Sequence, residues 1–167
     1  MAASYRLGRG RRWLNAIVRP LVRVGLAGRN TYLLTVEGRK SGKRFSTPVT
    51  LVVDAEQRWL VAPYGERNWV KNARAAGWVE LSRAGTSERL NVAQVDQAEA
   101  GRVLHAYVRR YPVTRPFFDA RARDSVEAFI AEAPRHPVFR LSSPGDVSGD
   151  VTGGSVRHRS IVAAHER

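Results

Sequence analysis

The chain has 167 residues, enough for one domain with a sizeable core and too few for two ordinary ones. Its 43% hydrophobic and 26% charged residues are the balance of a folded globular protein, and the absence of Cys excludes thiol nucleophiles, Cys-ligated zinc, iron–sulfur clusters and disulfides. A formal net charge of +13 makes an anionic partner the expectation: nucleic acid, a lipid surface or a polyanionic small molecule. Most of that excess sits in residues 1–44, where eleven basic residues face Glu37 alone.

Trp13, Leu14, Ile17, Leu21 and Val24 recur at helical spacing among Arg12, Arg19 and Arg23. They predict a basic amphipathic helix over about 11–25 within an N-terminal unit, residues 1–29. Its apolar runs are too broken for a signal peptide or a membrane span. It is expected to cap the core, with an anionic membrane surface as the alternative.

From Thr31 the period changes to two. Thr31–Glu37, Phe45–Val53 and Arg58–Ala62 read as strands joined by tight polar turns, which points to a meander rather than a parallel sheet. Asn68–Ala76 reads as a short helix closed by Gly77. Two more strands follow, Trp78–Ser82 and Thr86–Val95. Asp96-Gln97-Ala98-Glu99 has the form of a capping box and opens a helix with Ala100, Val103, Leu104, Tyr107 and Val108 on one face. Asp124-Ser125-Val126-Glu127 opens another, and Pro137–Leu141 reads as a last strand. The aperiodic Ser, Gly and Asp after it predict a disordered tail over 143–167, leaving 30–142 as the folded domain.

His105, His136, His158 and His165 are scattered without ligand spacing, so no metal site is expected. No G-x-S-x-G elbow or pair of catalytic acids suggests a hydrolase. Two segments carry positive signals. Gly38-Arg39-Lys40-Ser41-Gly42-Lys43-Arg44 is too short for a phosphate-binding Walker loop, yet a hairpin tip with four cations suits an anion clamp. In Ala62-Pro63-Tyr64-Gly65-Glu66-Arg67-Asn68-Trp69 a strand ends and a helix begins, offering free amides and a partial positive charge. Trp69 and Asn72 share one face of that helix; core packing is the competing account of both.

Together, Leu33-Leu34-Thr35-Val36-Glu37-Gly38-Arg39-Lys40-Ser41-Gly42-Lys43, Thr47-Pro48-Val49, the Ala62–Asn72 segment and Ala133-Pro134-Arg135-His136-Pro137-Val138-Phe139 resemble the deazaflavin-dependent nitroreductase family. These are coenzyme F-420-dependent oxidoreductases of actinobacteria, a source the Arg-rich, Lys-poor composition also suits. The resemblance spans roughly residues 30–141. It implies an α+β fold: a split β-barrel of about six mainly antiparallel strands with flanking helices, related to the flavin mononucleotide (FMN)-binding oxidases.

It further implies that coenzyme F-420, an 8-hydroxy-5-deazaflavin with a phosphodiester and an oligoglutamate tail, is the cofactor, with FMN the weaker alternative. By resemblance, Arg39, Lys40, Ser41, Gly42, Lys43 and Arg44 hold phosphate and tail. Thr47, Pro48, Ala62, Pro63, Tyr64 and Gly65 lie beside the ring, and Trp69 and Asn72 close the site. Hydride would pass to an electron-poor acceptor: an activated alkene, a quinone or a nitro compound. Tyr64 and Tyr111 are the candidate proton donors, and Phe117 and Phe118 are candidate walls, with core packing as the other reading of Tyr111 and both phenylalanines. Pro63 stands where nitroimidazole-reducing relatives carry a serine, and it offers neither hydroxyl nor N–H.

A cytoplasmic enzyme is expected, or one peripheral on the inner face of the cell membrane. A noncatalytic carrier on the same barrel and a basic membrane- or nucleic-acid-associated protein are the rivals. Nucleic acid is disfavoured because no helix-turn-helix, RNP-like strand or zinc module is present. Homo-oligomerisation stays open.

Overall fold

The computed structural model describes residues 28–145. The amphipathic helix expected over 11–25, and the tail beyond residue 145, lie outside the described residues.

Six strands form where alternation was read: β1 (Thr31–Glu37), β2 (Arg44–Asp54), β3 (Gln57–Val61), β4 (Trp78–Arg83), β5 (Thr86–Gln94) and β6 (Val138–Ser142). They close into a barrel in the order β1-β2-β3-β6-β5-β4, every neighbouring pair antiparallel. Closure abolishes exposed sheet edges. It depends on three pairings remote in sequence: Leu34 opposite Leu81, Val61 opposite Val138 and Gln94 opposite Phe139. The α+β split barrel with flanking helices is therefore the fold observed.

Three helices accompany the barrel: α1 (Asn68–Ala76), α2 (Gln97–Arg110) and α3 (Val126–Glu132), with 3-10 turns at Pro112–Phe117 and Ala133–Arg135. Gly77, left-handed at φ 73°, ends α1 by donating to Ala73 O at 2.9 Å. Asp96 caps α2, its Oδ1 accepting from Glu99 N at 2.8 Å. The capping box is only half made. Glu99 does not return to Asp96; its carboxylate accepts from Trp59 Nε1 at 2.7 Å and pairs with Arg140 on β6. A charged partner and an indole donor outweigh one local backbone bond. At α3, Ser125 occupies the cap position without a side-chain cap bond to the backbone, and Asp124 instead accepts from Arg121 N at 2.7 Å.

The residues form two cores. Leu34, Val36, Val49, Leu51, Leu60, Val79, Leu81, Leu90, Phe139 and Leu141 fill the barrel, and Val70 and Ala73 of α1 plug one end of it. Outside, Val52, Val61 and Val138 meet Val103, Leu104, Tyr107 and Val108 of α2 and Phe129 of α3. Each fully buried Leu or Phe contributes roughly 2 kcal/mol. Strict antiparallel pairing sorts the connections between the two ends. The β1–β2 hairpin, the Ala62–Arg67 loop, α1 and the Ala133–Pro137 segment all gather at the end that α1 plugs.

Candidate functional site

A pocket of about 400 Å³ opens at that end, lined by Gly38, Arg39, Lys40, Ser41, Phe45, Asn68, Trp69 and Asn72. The β1–β2 hairpin makes one wall. Gly38 N donates to Lys43 O at 2.8 Å, and Gly38 O accepts from Ser41 N at 3.1 Å and Gly42 N at 2.8 Å. The last ring of the hairpin is Phe45, 52% exposed, lying so close over Gly38 that a Cβ there would meet its Cε2 at 2.7 Å. Phe45 stands opposite Val36, on the strand face that continues through Thr47 to Val49 and Leu51, which fill the barrel. It therefore carries the apolar lining out into the pocket.

The first turn of α1 makes the other wall. This N-terminus carries no acidic residue in its first turn and no side-chain cap at Arg67. Its aligned amides therefore add positive potential to the pocket. Trp69 is half-buried, its ring 6.4 Å from that of Phe139 in the barrel core.

Asn72 joins the two walls. It is 4% exposed, and its Oδ1 accepts from Arg39 Nη1 at 2.8 Å and from Arg39 N at 3.3 Å. The bond leaves the guanidinium charge unneutralised, because an amide oxygen is the acceptor. Among the described residues, Arg39, Lys40 and Lys43 are in no ion pair. Arg44, by contrast, is held by Glu80 at 2.6 Å, and Lys71 and Arg74 of α1 both face Glu66, at 3.5 and 2.5 Å. The net cationic contribution to the pocket comes from Arg39 and Lys40.

Of the expected site residues, the fold brings Arg39, Lys40, Ser41, Trp69 and Asn72 around one pocket. Gly42, Lys43 and Arg44 belong to the same hairpin without lining it. Thr47 faces the barrel interior opposite Leu34, and Pro48 lies on the outer face opposite Leu33. Ala62, Pro63, Tyr64 and Gly65 form the neighbouring loop, outside the lining. Tyr64 meets Phe117 edge-on at 4.7 Å. Tyr111 Oη donates to Leu51 O at 3.1 Å, so its proton is already engaged, and its ring packs tilted against Tyr107 in the outer layer. Phe118 is buried in the outer core. Phe45 and Asn68 escaped the sequence reading. The period-two stripe Leu51, Val49, Thr47, Phe45 was the available signal for the first. Among the described residues, no three His, Asp or Glu side chains gather as a metal site.

The cradle fits a cofactor that is aromatic at one end and anionic at the other: Phe45 and Trp69 offer aromatic surface, and Arg39, Lys40 and the α1 amides offer positive charge.

No curated protein sequence matches the chain. A solved structure of an F420-H2-dependent reductase, FDR-A, is similar in fold, with 20% identity, a TM-score of 0.50, and coverage of 68% of this chain and 95% of its own. The Agrobacterium tumefaciens protein Atu2129, of unknown function, shares 17% identity at a TM-score of 0.50, over 86% of this chain and 60% of its own. The family model of the F420H(2)-dependent quinone reductases matches residues 13–124. That span starts in the basic N-terminal segment and stops short of Ala133–Phe139, which the resemblance had included. It covers both walls of the pocket, and the chain belongs to the F420H(2)-dependent quinone reductase family.

Proposed function

We propose that this oxidoreductase binds reduced coenzyme F-420 in the pocket between the β1–β2 hairpin and α1, and delivers its hydride to an electron-poor acceptor, a quinone before an activated alkene or nitro compound. The observation that carries the reading is Arg39, fixed by Asn72 yet left with its charge uncompensated beside Lys40 and an uncapped helix start. Those groups suit a phosphodiester and an oligoglutamate tail. FMN, with one phosphate, has less use for them.

When bound, the deazaflavin supplies two-electron hydride chemistry, because its ring carries carbon where a flavin has its reactive nitrogen. The chain supplies placement. Phe45 and Trp69 wall the pocket against water, and the Asn72–Arg39 bond fixes the hairpin to α1. In this reading the ring extends beyond the pocket onto the neighbouring Ala62–Gly65 loop, which leads to α1 and forms the ring-side wall. Pro63 gives the acceptor no hydrogen bond, which favours acceptors that need none at that point and disfavours nitroimidazoles. Tyr64, in the ring-side loop, is the tyrosine this reading assigns to move a proton; Tyr111 Oη donates to Leu51 O in the outer layer.

The test is turnover. Purified protein is mixed anaerobically with reduced coenzyme F-420 and, separately, a water-soluble quinone, an activated alkene and a nitroimidazole, following reappearance of the oxidised deazaflavin absorbance. Quinone-dependent oxidation above the protein-free rate supports the reading. No acceleration with any acceptor refutes it.

A further inference from the structure

The Ala62–Gly65 loop is held from behind by the segment entering β6. Ala62 N donates to Pro137 O at 2.9 Å, and a Cβ at Gly65 would meet Arg135 O at 3.3 Å. That segment contains a buried pair that the pocket does not use: Glu132, 3% exposed, and His136, 5% exposed. His136 Nε2 lies 3.2 Å from Glu132 Oε2. Glu132 Oε1 accepts from Ala120 N at 2.5 Å, and Phe118 stacks on the imidazole with centroids 4.1 Å apart. From the loop, the Pro63 carbonyl acts on the ring as a second acceptor.

The imidazole thus faces two acceptors, a carboxylate and a carbonyl. Neutral, it has one N–H to give; protonated, it has two. Neither ring nitrogen nor Glu132 Oε2 makes a well-aligned hydrogen bond. Buried polar groups left in that state are costly, and one proton with a small rotation satisfies all three. The other charges facing the ring are few. Arg135 reaches Glu132 Oε2 at 3.2 Å from the same turn, and its other amino group holds Asp119 Oδ2 at 2.7 Å from the Phe118–Ala120 segment. The loop itself contributes only the Pro63 carbonyl.

We propose that His136 is a positioning residue for the ring-side loop: gaining a proton, it bonds Glu132 and Pro63 together and fixes Pro63–Gly65 against the Phe118–Ala120 segment. This rests on the reading that places the loop beside the cofactor. Burial holds the imidazole below its ordinary value, partly opposed by Glu132. The ring is therefore neutral at neutral pH, and the loop tightens on acidification.

The experiment follows the full chain by NMR between about pH 8 and pH 5, without cofactor, reading the His136 ring and the Tyr64 and Gly65 amides. The dissociation constant for coenzyme F-420 is measured at each pH. The two amides are expected to titrate with the His136 midpoint and to lose that inflection in His136→Gln. On acidification, wild-type affinity should rise about threefold relative to His136→Gln, the worth of one net hydrogen bond. In Glu132→Gln the midpoint and the amide inflection should move together to lower pH, a result that stands even if His136→Gln fails to fold. Amides that ignore the ring, or an inflection that survives in His136→Gln or stays put in Glu132→Gln, overturn the proposal. If wild type binds no coenzyme F-420 at any pH while the amides still follow His136, the coupling holds and the cofactor reading falls.

Discussion

Replacing Asn72 removes the bond that joins the two walls of the pocket. In Asn72→Ala the Arg39 backbone and guanidinium N–H groups lose their shared acceptor, bound at 3.3 and 2.8 Å. The bond to the charged group is worth about 1.5–3 kcal/mol and the long backbone bond about 0.5. Arg39 is exposed, so its donors regain water and no desolvation penalty is added. The expected loss is about 2 kcal/mol in urea unfolding, together with weaker deazaflavin binding as the hairpin loosens. Asn72→Asp separates the two effects. It keeps the acceptor and strengthens the bond to Arg39, so stability should stay within about 1 kcal/mol of wild type. The added negative charge then cancels Arg39, and affinity for the anionic cofactor should fall about tenfold or more. If Asn72→Ala unfolds at the wild-type urea concentration and binds as wild type does, the bridge is not what organises the site. If Asn72→Asp binds as well as wild type, the positive charge of Arg39 is irrelevant to the ligand.

Gly101 lies against α3, where an added Cβ would come within 2.3 Å of Ile130 Cγ1 and 2.8 Å of Ile130 N. Backbone cannot move aside, so Gly101→Ala should cost about 1–3 kcal/mol by urea melt despite its better helix propensity; a stabilised variant would contradict this packing. Gly38→Ala meets the edge of the half-exposed Phe45 ring and the exposed Ser41 Oγ, side chains that can shift, so it should cost under about 1 kcal/mol yet measurably weaken deazaflavin binding, the reverse balance to Gly101→Ala. Burial lowers the His136 value, so its neutral form stabilises the fold above the unfolded value of about 6.5. That contribution is lost as pH falls through the lowered native value. Thermal melts in that window should fall with acid in wild type and fall less steeply in His136→Gln; parallel curves would contradict the assignment.

Much of this architecture was legible because it is local. Period-two runs marked every strand to within a residue or two, Gly77 marked the end of α1, and Asp96 marked the start of α2. Glu99 shows where local reading stops. Its spacing specified a capping box, but Trp59 and Arg140, brought near only by barrel closure, took its carboxylate. Phe45 read as one more strand residue, since nothing local says that the inward stripe outruns the core at the barrel mouth. His136 looked like a stray histidine because its partners Pro63 and Phe118 come from other parts of the chain. The cationic hairpin was legible, while the distinction between Arg39, held by an amide, and Arg44, neutralised by Glu80, needed the β1–β4 pairing.

The proposed function places a polyanionic deazaflavin against Arg39 and Lys40. Its most direct test is a fluorescence titration of the purified chain with coenzyme F-420 and, in parallel, FMN, across a salt series. Coenzyme F-420 is expected to bind more tightly than FMN and to weaken as salt rises, with Arg39→Ala and Lys40→Ala each losing about fivefold to tenfold in affinity. FMN binding as tightly as coenzyme F-420, insensitive to salt and to both substitutions, would contradict it.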